Sequence, residues 1–394
     1  MARNDAVVVD VIRTPSGRGK VGGSLSGVHP VDLLAGVLDE LVTRNGLDPE
    51  LIDDVIGGCV SQVGEQSLNI ARNAALAAGF PTSVPGVTVD RQCGSSQQAV
   101  TFAAQAVMSG MNDIVIACGV ESMSRVPLGT AAGVADPFGS RLAERFPEGL
   151  VGQGISAELI AARWKYSRAQ LDEFSARSHA LASEAWQRAD FAREVVSVRT
   201  DAGEALRDET VRPGTDVERL GALKPAFYSE RMAERFPQIT WSITPGNSSP
   251  LTDGASAALI MSSERAAALG LRPRARLHSF AAVGSDPLYM LTGVVPVTQK
   301  VLARAHLTID DLDSYEVNEA FASVPLYWLE ETGADPAKLN PWGGAIALGH
   351  ALGSSGTRLL ATLISQLEST GGRYGLQTMC EGGGMANATI VERL

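Results

Sequence analysis

A chain of 394 residues is too long for one small core, and two or three domains are expected. Hydrophobic residues make up 45% of it, an ordinary share for a soluble globular protein, and no apolar run approaches a membrane span. The formal net charge of -11 argues against a general nucleic-acid surface, though not against a local basic patch for one anionic ligand.

Met1 to Asp5 lead straight into Val7-Val8-Val9, too short a run for a signal-peptide core, so a cytoplasmic protein is expected. Val7 to Ile12 reads as a buried strand. The following Gly17, Gly19 and Gly22 spell G-x-G-x-x-G, but no helical pattern opens there, so a dinucleotide site is rejected. A helix is expected from about Pro30, with Leu33, Leu34, Val37, Leu38 and Leu41 on one stripe. Strand Asp54–Val60, helix Leu68–Ala78, the β-prone Val87–Val89, a helical run Ala99–Met108 and strand Ile114–Cys118 follow. That order predicts a layered α/β unit with a mostly parallel sheet.

From about Val120 to Ser249 the chain is richer in charge and carries helical patterns over about Ala157–Trp164 and Arg168–Arg188. It reads as an excursion over an active-site mouth, closed by Thr244-Pro245-Gly246-Asn247-Ser248-Ser249-Pro250. Strand Ala255–Ser262 and helix Glu264–Leu269 complete the first unit. The second half repeats its order: strand Arg274–Val283, helix Pro296–Ala305, strand Ser314–Val317, helix Ala320–Glu331, helix Ala351–Glu368, and strands Tyr374–Cys380 and Ala388–Glu392. Strand ends recur at an offset of about 260 residues, so one α/β unit is read as duplicated, with ligands expected at the carboxyl ends of its strands.

The cysteines Cys59, Cys93, Cys118 and Cys380 match no zinc or disulfide spacing, so no metal is expected and the thiols should be free. Cys93 falls at a strand-to-helix corner, where helix-end N–H groups and the dipole favour a thiolate, the nucleophilic form. Across the repeat, His350 stands at the equivalent corner within Gly343 to Gly356, placed to take the thiol proton. Cys380 ends another strand before Gly382-Gly383-Gly384, a turn suited to an oxyanion hole, with Cys380 itself a candidate acid/base. Asn318 ends a third strand, where its amide could fix a water. Cys59 reads as core filler.

These motifs, in this order and spacing, resemble the thiolase family over essentially the whole chain. The resemblance implies a duplicated αβαβα five-layer fold: an N-terminal half over residues 1–120 completed by 250–270, a loop domain over 121–249 that covers the site and binds coenzyme A, and a C-terminal half over 271–394. It further implies that Cys93 carries the acyl group, that His350 activates it and that Cys380 exchanges a proton with the CoA sulfur or the acyl α-carbon. Asn318, through a water, and His350 would form one oxyanion hole. The N–H groups of Cys93 and Gly382 would form the other. Ser248, Asn247, Arg212 and Gly349 are the implied CoA-binding positions. The implied reaction is cleavage of a 3-ketoacyl-CoA by CoA, with acyl-CoA and CoA as partners, no permanently bound cofactor, no nucleic acid, no membrane, and a homodimer or homotetramer.

The chain departs from the family pattern at Ser96, where Gly is usual, and at Asp90, Ala351 (for Pro), Ala386 (for Gly), Leu150-Val151-Gly152 and the long link Tyr228–Trp241. None removes a reacting group. They argue against assuming a short acetoacetyl-CoA substrate, and the runs around Gly57 and Cys93 look most like actinobacterial degradative thiolases, some of which act on steroid side chains. The alternatives are a biosynthetic acetoacetyl-CoA thiolase and a non-catalytic acyl-CoA binder. A decarboxylating ketosynthase of the same superfamily would usually want Cys plus two His, or Cys, His and Asn, and Cys380 with its triple Gly favours a thiolase instead.

Overall fold

The computed structural model describes residues 5–394. Residues 1–4, part of the segment read as too short for a signal-peptide core, lie outside the described residues. The N-terminal half comprises β1 (Val7–Arg13), β2 (Gly17–Arg18), α1 (Pro30–Arg44), β3 (Asp54–Gly58), α2 (Ile70–Ala77), β4 (Gly86–Val89), α3 (Ser95–Ser109) and β5 (Ile114–Ser122). Pro30 opens α1 with His29 as its cap, and the Gly17–Gly22 run forms only the short β2 and a turn, with no helix after it.

The excursion follows, with α4 (Gly139–Arg145), α5 (Gln153–Trp164), α6 (Arg168–Gln187), the hairpin β6 (Val198–Thr200) and β7 (Gly203–Ala205), α7 (Val217–Gly221) and α8 (Glu230–Arg235). A Ser167/Gln170 capping box starts α6. Next come β8 (Thr252–Met261) and α9 (Ser263–Ala268). The C-terminal half then runs β9 (Ala275–Gly284), α10 (Val294–Ala305), β10 (Ser314–Val317), α11 (Ser323–Thr332), α12 (Ala345–Leu348), α13 (Ser355–Thr370), β11 (Tyr374–Glu381) and β12 (Met385–Arg393).

The strand order is β4-β3-β5-β8-β1-β9-β12-β11-β10. In the first half β3 runs parallel to β4 and β5, and β8 lies antiparallel between β5 and β1. The second half repeats this pattern. β10 is parallel to β11 and bridges in parallel to Leu339, and β12 lies antiparallel between β11 and β9. Leu339 therefore stands in for β4, and the duplication is visible in the pairing itself. The halves meet where β1 and β9 pair at Val7↔Arg276 and Val8↔Ala275.

The sheet is mixed, which corrects the expectation of a mostly parallel one. β11 and β12 are joined by the tight Gly382–Gly384 turn, which permits only an antiparallel return. β8 comes back from the excursion antiparallel to β5, as β12 does to β11. Helix α13 also begins at Ser355 rather than Ala351, because a 3-10 turn over Leu352–Ser354 precedes it.

Side-chain alternation sets the layers. In β5, Ile114, Ile116 and Cys118 face the core beneath α1 and α2, while Val115 and Ala117 face the central layer with α3 and α13. A bulge between Val8 and Asp10 resets β1 so that Val8 and Val11 both face the centre. The outer face of the second half packs α10 and α11 around Trp328. Cys59 is fully buried in the first-half core. The central layer is alanine-rich (Ala99, Ala103, Ala104, Ala361), so α3 and α13 approach closely. Their N-terminal ends touch because Gly58, Gly119, Gly353 and Gly356 have no side chain: a Cβ on Gly356 would fall on the backbone of Gln97. This contact brings the Cys93 and His350 corners together.

Candidate active site

Cys93 lies between β4 and α3 and is 2% exposed. The corner is wound around Ser95, whose Oγ accepts the Arg91 N–H (2.9 Å) and donates to the Gln92 carbonyl (2.6 Å). Gln92 sits at φ 48, a left-handed conformation that is uncommon for glutamine. Gln153, the first residue of α5, donates its Nε2–H to Cys93 Sγ at 3.8 Å. Gly382 lies alongside, where a methyl group would press on the side chains of Gln92 and Gln153. Cys380 is fully buried, and Cys93 and the carboxyl Glu381 lie close enough to raise its thiol pKa further.

The network around His350 assigns its tautomer. Ser355 Oγ donates its only hydrogen to the Ala351 carbonyl (2.8 Å), so the 2.6 Å contact with His350 must be Nδ1–H donating to Oγ. Nε2 is thereby left bare as an acceptor, 3.3 Å from Asn318 Nδ2. Asn318 Oδ1 is buried without a hydrogen-bond partner among the described residues. Burial, helped by the nearby Arg358 guanidinium, pushes His350 down to about 3. Burial pushes Cys93 up to about 12. The resting pair is thus neutral thiol and neutral imidazole, which corrects the expectation of a thiolate-favouring corner. Helix-end effects are commonly worth about 0.3–1 kcal/mol, and desolvation of a fully buried thiolate outweighs them.

Two contacts across the halves hold these corners in register. Glu121 on β5 accepts from the N–H groups of Val60, Ser61 and Gly353 and from Gln66 Nε2, fixing the turn after His350. Ser96 Oγ accepts the Thr357 N–H at 3.1 Å, capping the first turn of α13 from α3. The hydroxyl that departs from the family pattern therefore satisfies an otherwise orphaned donor. Ala351 sits at φ -69, already the proline value, and its N–H has no hydrogen-bond partner among the described residues. Ala351→Pro is therefore expected to stabilise the fold by about 0.4–1 kcal/mol by restricting the unfolded chain. A raised urea midpoint at unchanged m-value would show this, and a lowered midpoint would contradict the geometry.

Cys93 and His350 open on a cavity of about 690 Å³ whose walls are mostly apolar, including Val151, Ile155, Phe227, Met232, Phe321 and Leu352. Ser248 lines it, its Oγ donating to the Thr244 carbonyl at 2.7 Å. Asn247 does not line it: the side chain is buried, donating to Asp172 and the Ser242 carbonyl and accepting the Thr244 N–H. Gly349, at φ +83, is packed against Thr252, whose Oγ1 accepts the His350 N–H. Arg212 lies away from this cavity. Its backbone N–H donates to His179 Nδ1, and its guanidinium makes no hydrogen bond or ion pair among the described residues.

Sequence reasoning missed Gln153, Ser355 and Glu381. The flagged Leu150-Val151-Gly152 stretch pointed at the first, since it leads directly into Gln153. Ser355 lies only five residues beyond His350 and was available to a local reading of the Gly353–Gly356 run, whereas the Glu381 contact with Gly94 depends on a chain crossing. Among the described residues no cluster of His, Cys, Asp or Glu is arranged to hold a metal, and no helix is long and apolar enough to cross a membrane.

Fold and comparisons together define an α/β acyltransferase in which Cys93 and His350, one from each half of a duplicated unit, open on one cavity. The profile "Thiolase, N-terminal domain" matches residues 6–264 and "Thiolase, C-terminal domain" matches residues 271–393. The chain is 46% identical to the steroid 3-ketoacyl-CoA thiolase FadA6 of Mycobacterium tuberculosis, over 99% of this chain and 94% of that protein. It is 45% identical to a 3-ketoacyl-CoA thiolase of Aeromonas salmonicida, over 99% and 100%. The crystal structure of the Bacillus anthracis acetyl-CoA acetyltransferase superposes with a TM-score of 0.88 at 35% identity, covering all of both chains. The chain belongs to the thiolase family, and acyl-CoA and CoA are its substrates.

Proposed function

We propose that this thiolase works in the thiolytic direction on 3-ketoacyl-CoA substrates with bulky acyl groups, steroid side chains included. The observation that carries the reading is the large apolar cavity beside Cys93, walled in part by Phe227 and Met232 from the segment next to and within the long link. Thiolysis rates for 3-ketoacyl-CoA substrates from four carbons to steroid-linked test it. The expected result is kcat/KM rising with acyl bulk, and strict preference for acetoacetyl-CoA would defeat it.

In the proposed chemistry His350 Nε2 takes the Cys93 proton as sulfur attacks the 3-keto carbon. The Cα–Cβ bond breaks, the shortened acyl group stays on Cys93, and the departing α-carbon takes a proton from Cys380 to leave as acetyl-CoA or propionyl-CoA. The second CoA thiol then gives its proton to Cys380 and attacks the acyl thioester, and Cys93 leaves with the proton held by His350. Asn318 with a water and His350 would steady one oxyanion, and the N–H groups of Cys93 and Gly382 the other. The orphaned Asn318 Oδ1 supports a bound water at that position.

Ser248 would face CoA directly, and the unpaired Arg212 guanidinium suits a nucleotide phosphate. Asn247 and Gly349 would act on CoA through the shape of their loops. We divide the chain into halves over 1–120 (with 250–270) and 271–394, and a loop domain over 121–249. Among the described residues β4 pairs only with β3, so its free edge suits a second copy of the chain, giving a cytoplasmic homodimer or homotetramer with no permanently bound cofactor.

A further inference from the structure

Glu381 follows Cys380 and takes no part in the steps above. It points to the opposite side of β11 from the Cys380 thiol. It is fully buried against the N-cap of α3, where a Cβ on Gly94 would collide with its Oε1. Asn387 reaches the same spot from β12, donating Nδ2–H to the Gly94 carbonyl at 3.0 Å. Among the described residues neither Glu381 oxygen has a hydrogen-bond partner, and Asn387 Oδ1 has none either. A bare carboxylate would be costly here, whereas a protonated carboxyl carries a donor of its own. The charged and titratable groups facing it are Asp90 and Arg91 from the corner before α3, Cys93 at that corner and Cys380 on β11. Arg91 is the nearby cation and draws the carboxyl down, but burial outweighs it, and among the described residues Arg91 makes no hydrogen bond to Glu381: it reaches Met385 Sδ at 3.9 Å and its Nε is unpartnered. From β12 the neighbours are the uncharged Met385 and Asn387.

We propose that Glu381 is a positioning residue that acts on Cys93 through its own protonation state: neutral, it leaves the helix end free to support developing thiolate charge, and ionised, it opposes that charge and slows acylation. Burial pushes Glu381 up to about 8, so the carboxyl is neutral at neutral pH and ionises on the alkaline side. Its negative charge raises the Cys93 thiol further. The sign follows directly. As pH rises through about 8, Cys93 in the native enzyme gains less reactivity than a thiol without this neighbour.

The inference rests on Cys93 being the nucleophile. The test measures the second-order rate of Cys93 alkylation by iodoacetamide, read at the Cys93 peptide by mass spectrometry, in the native enzyme, Glu381→Gln and Glu381→Leu. The ratio of variant to native rate is expected to climb about tenfold between about pH 6.5 and pH 10, turning upward near pH 8, with a matching divergence in kcat/KM for thiolysis. General structural damage would change the rate by one factor at every pH, so a pH-independent ratio in both variants overturns the proposal. Thiolysis that persists after Cys93 is alkylated in the native enzyme overturns the nucleophile assignment and this inference with it.

Discussion

Cys93→Ser is expected to lower kcat for thiolysis by about 10⁴-fold or more while leaving the fold intact. Two physical reasons act together. A buried hydroxyl is far harder to ionise than a thiol that burial has already pushed up to about 12, and an imidazole held at about 3 is a weak base for it. An acyl-serine is also an oxygen ester, so returning the acyl group to a CoA thiol is uphill, whereas exchange between two thioesters is nearly level. The checking measurement is intact and peptide mass after incubation with a 3-ketoacyl-CoA and no free CoA. The native enzyme should carry the shortened acyl group on the Cys93 peptide, and the variant should carry none. Acyl mass on the Cys380 or Cys59 peptide instead, or activity within tenfold of native, would remove Cys93 from its proposed role.

His350→Gln should cost about 10²–10⁴-fold in kcat, the usual span for loss of a positioned base. Glutamine can still reach Asn318 and Ser355 but cannot carry the proton from Cys93. The native pH profile gives a second handle. A base must be neutral to act, and lowering pH protonates it. Because burial and Arg358 push His350 down to about 3, its neutral form survives well below the ordinary histidine range. The acid side of kcat/KM should therefore stay nearly flat from about pH 7 to about pH 5. An acid limb centred on the ordinary histidine value would mean that water reaches the imidazole and that the buried geometry is wrong.

Much of this was legible in one dimension. The apolar stripe of α1, the strand before Cys93 and the glycines around His350 are local patterns, and local patterns report periodicity and turn chemistry. The repeat could be read because both halves spend the same order of elements. The antiparallel β12 could have been read too, since Gly382–Gly384 leaves no room for a crossover. What local pattern misreported was electrostatics. A corner at a helix end looks thiolate-friendly, and only the packing of α3 against α13 and β11 shows how deeply Cys93 is buried, at the inner end of its cavity.

The sequence by itself determined which groups are present: two cysteines and one asparagine at or just beyond strand ends, one histidine in a glycine-rich turn, and glycine where the chain must turn or cross closely. Tertiary structure alone decided their states and partners. Ser355 sets the His350 tautomer, Gln153 reaches Cys93 from α5, Ser96 caps the opposite helix, and Glu381 lies beneath Gly94 with no hydrogen-bond partner among the described residues. The physical reason is that protonation and hydrogen bonding depend on what surrounds a group in space. Apart from Ser355, which is near His350 in the chain, those surroundings come from segments far apart in sequence, Gly94 and Asn387 among them.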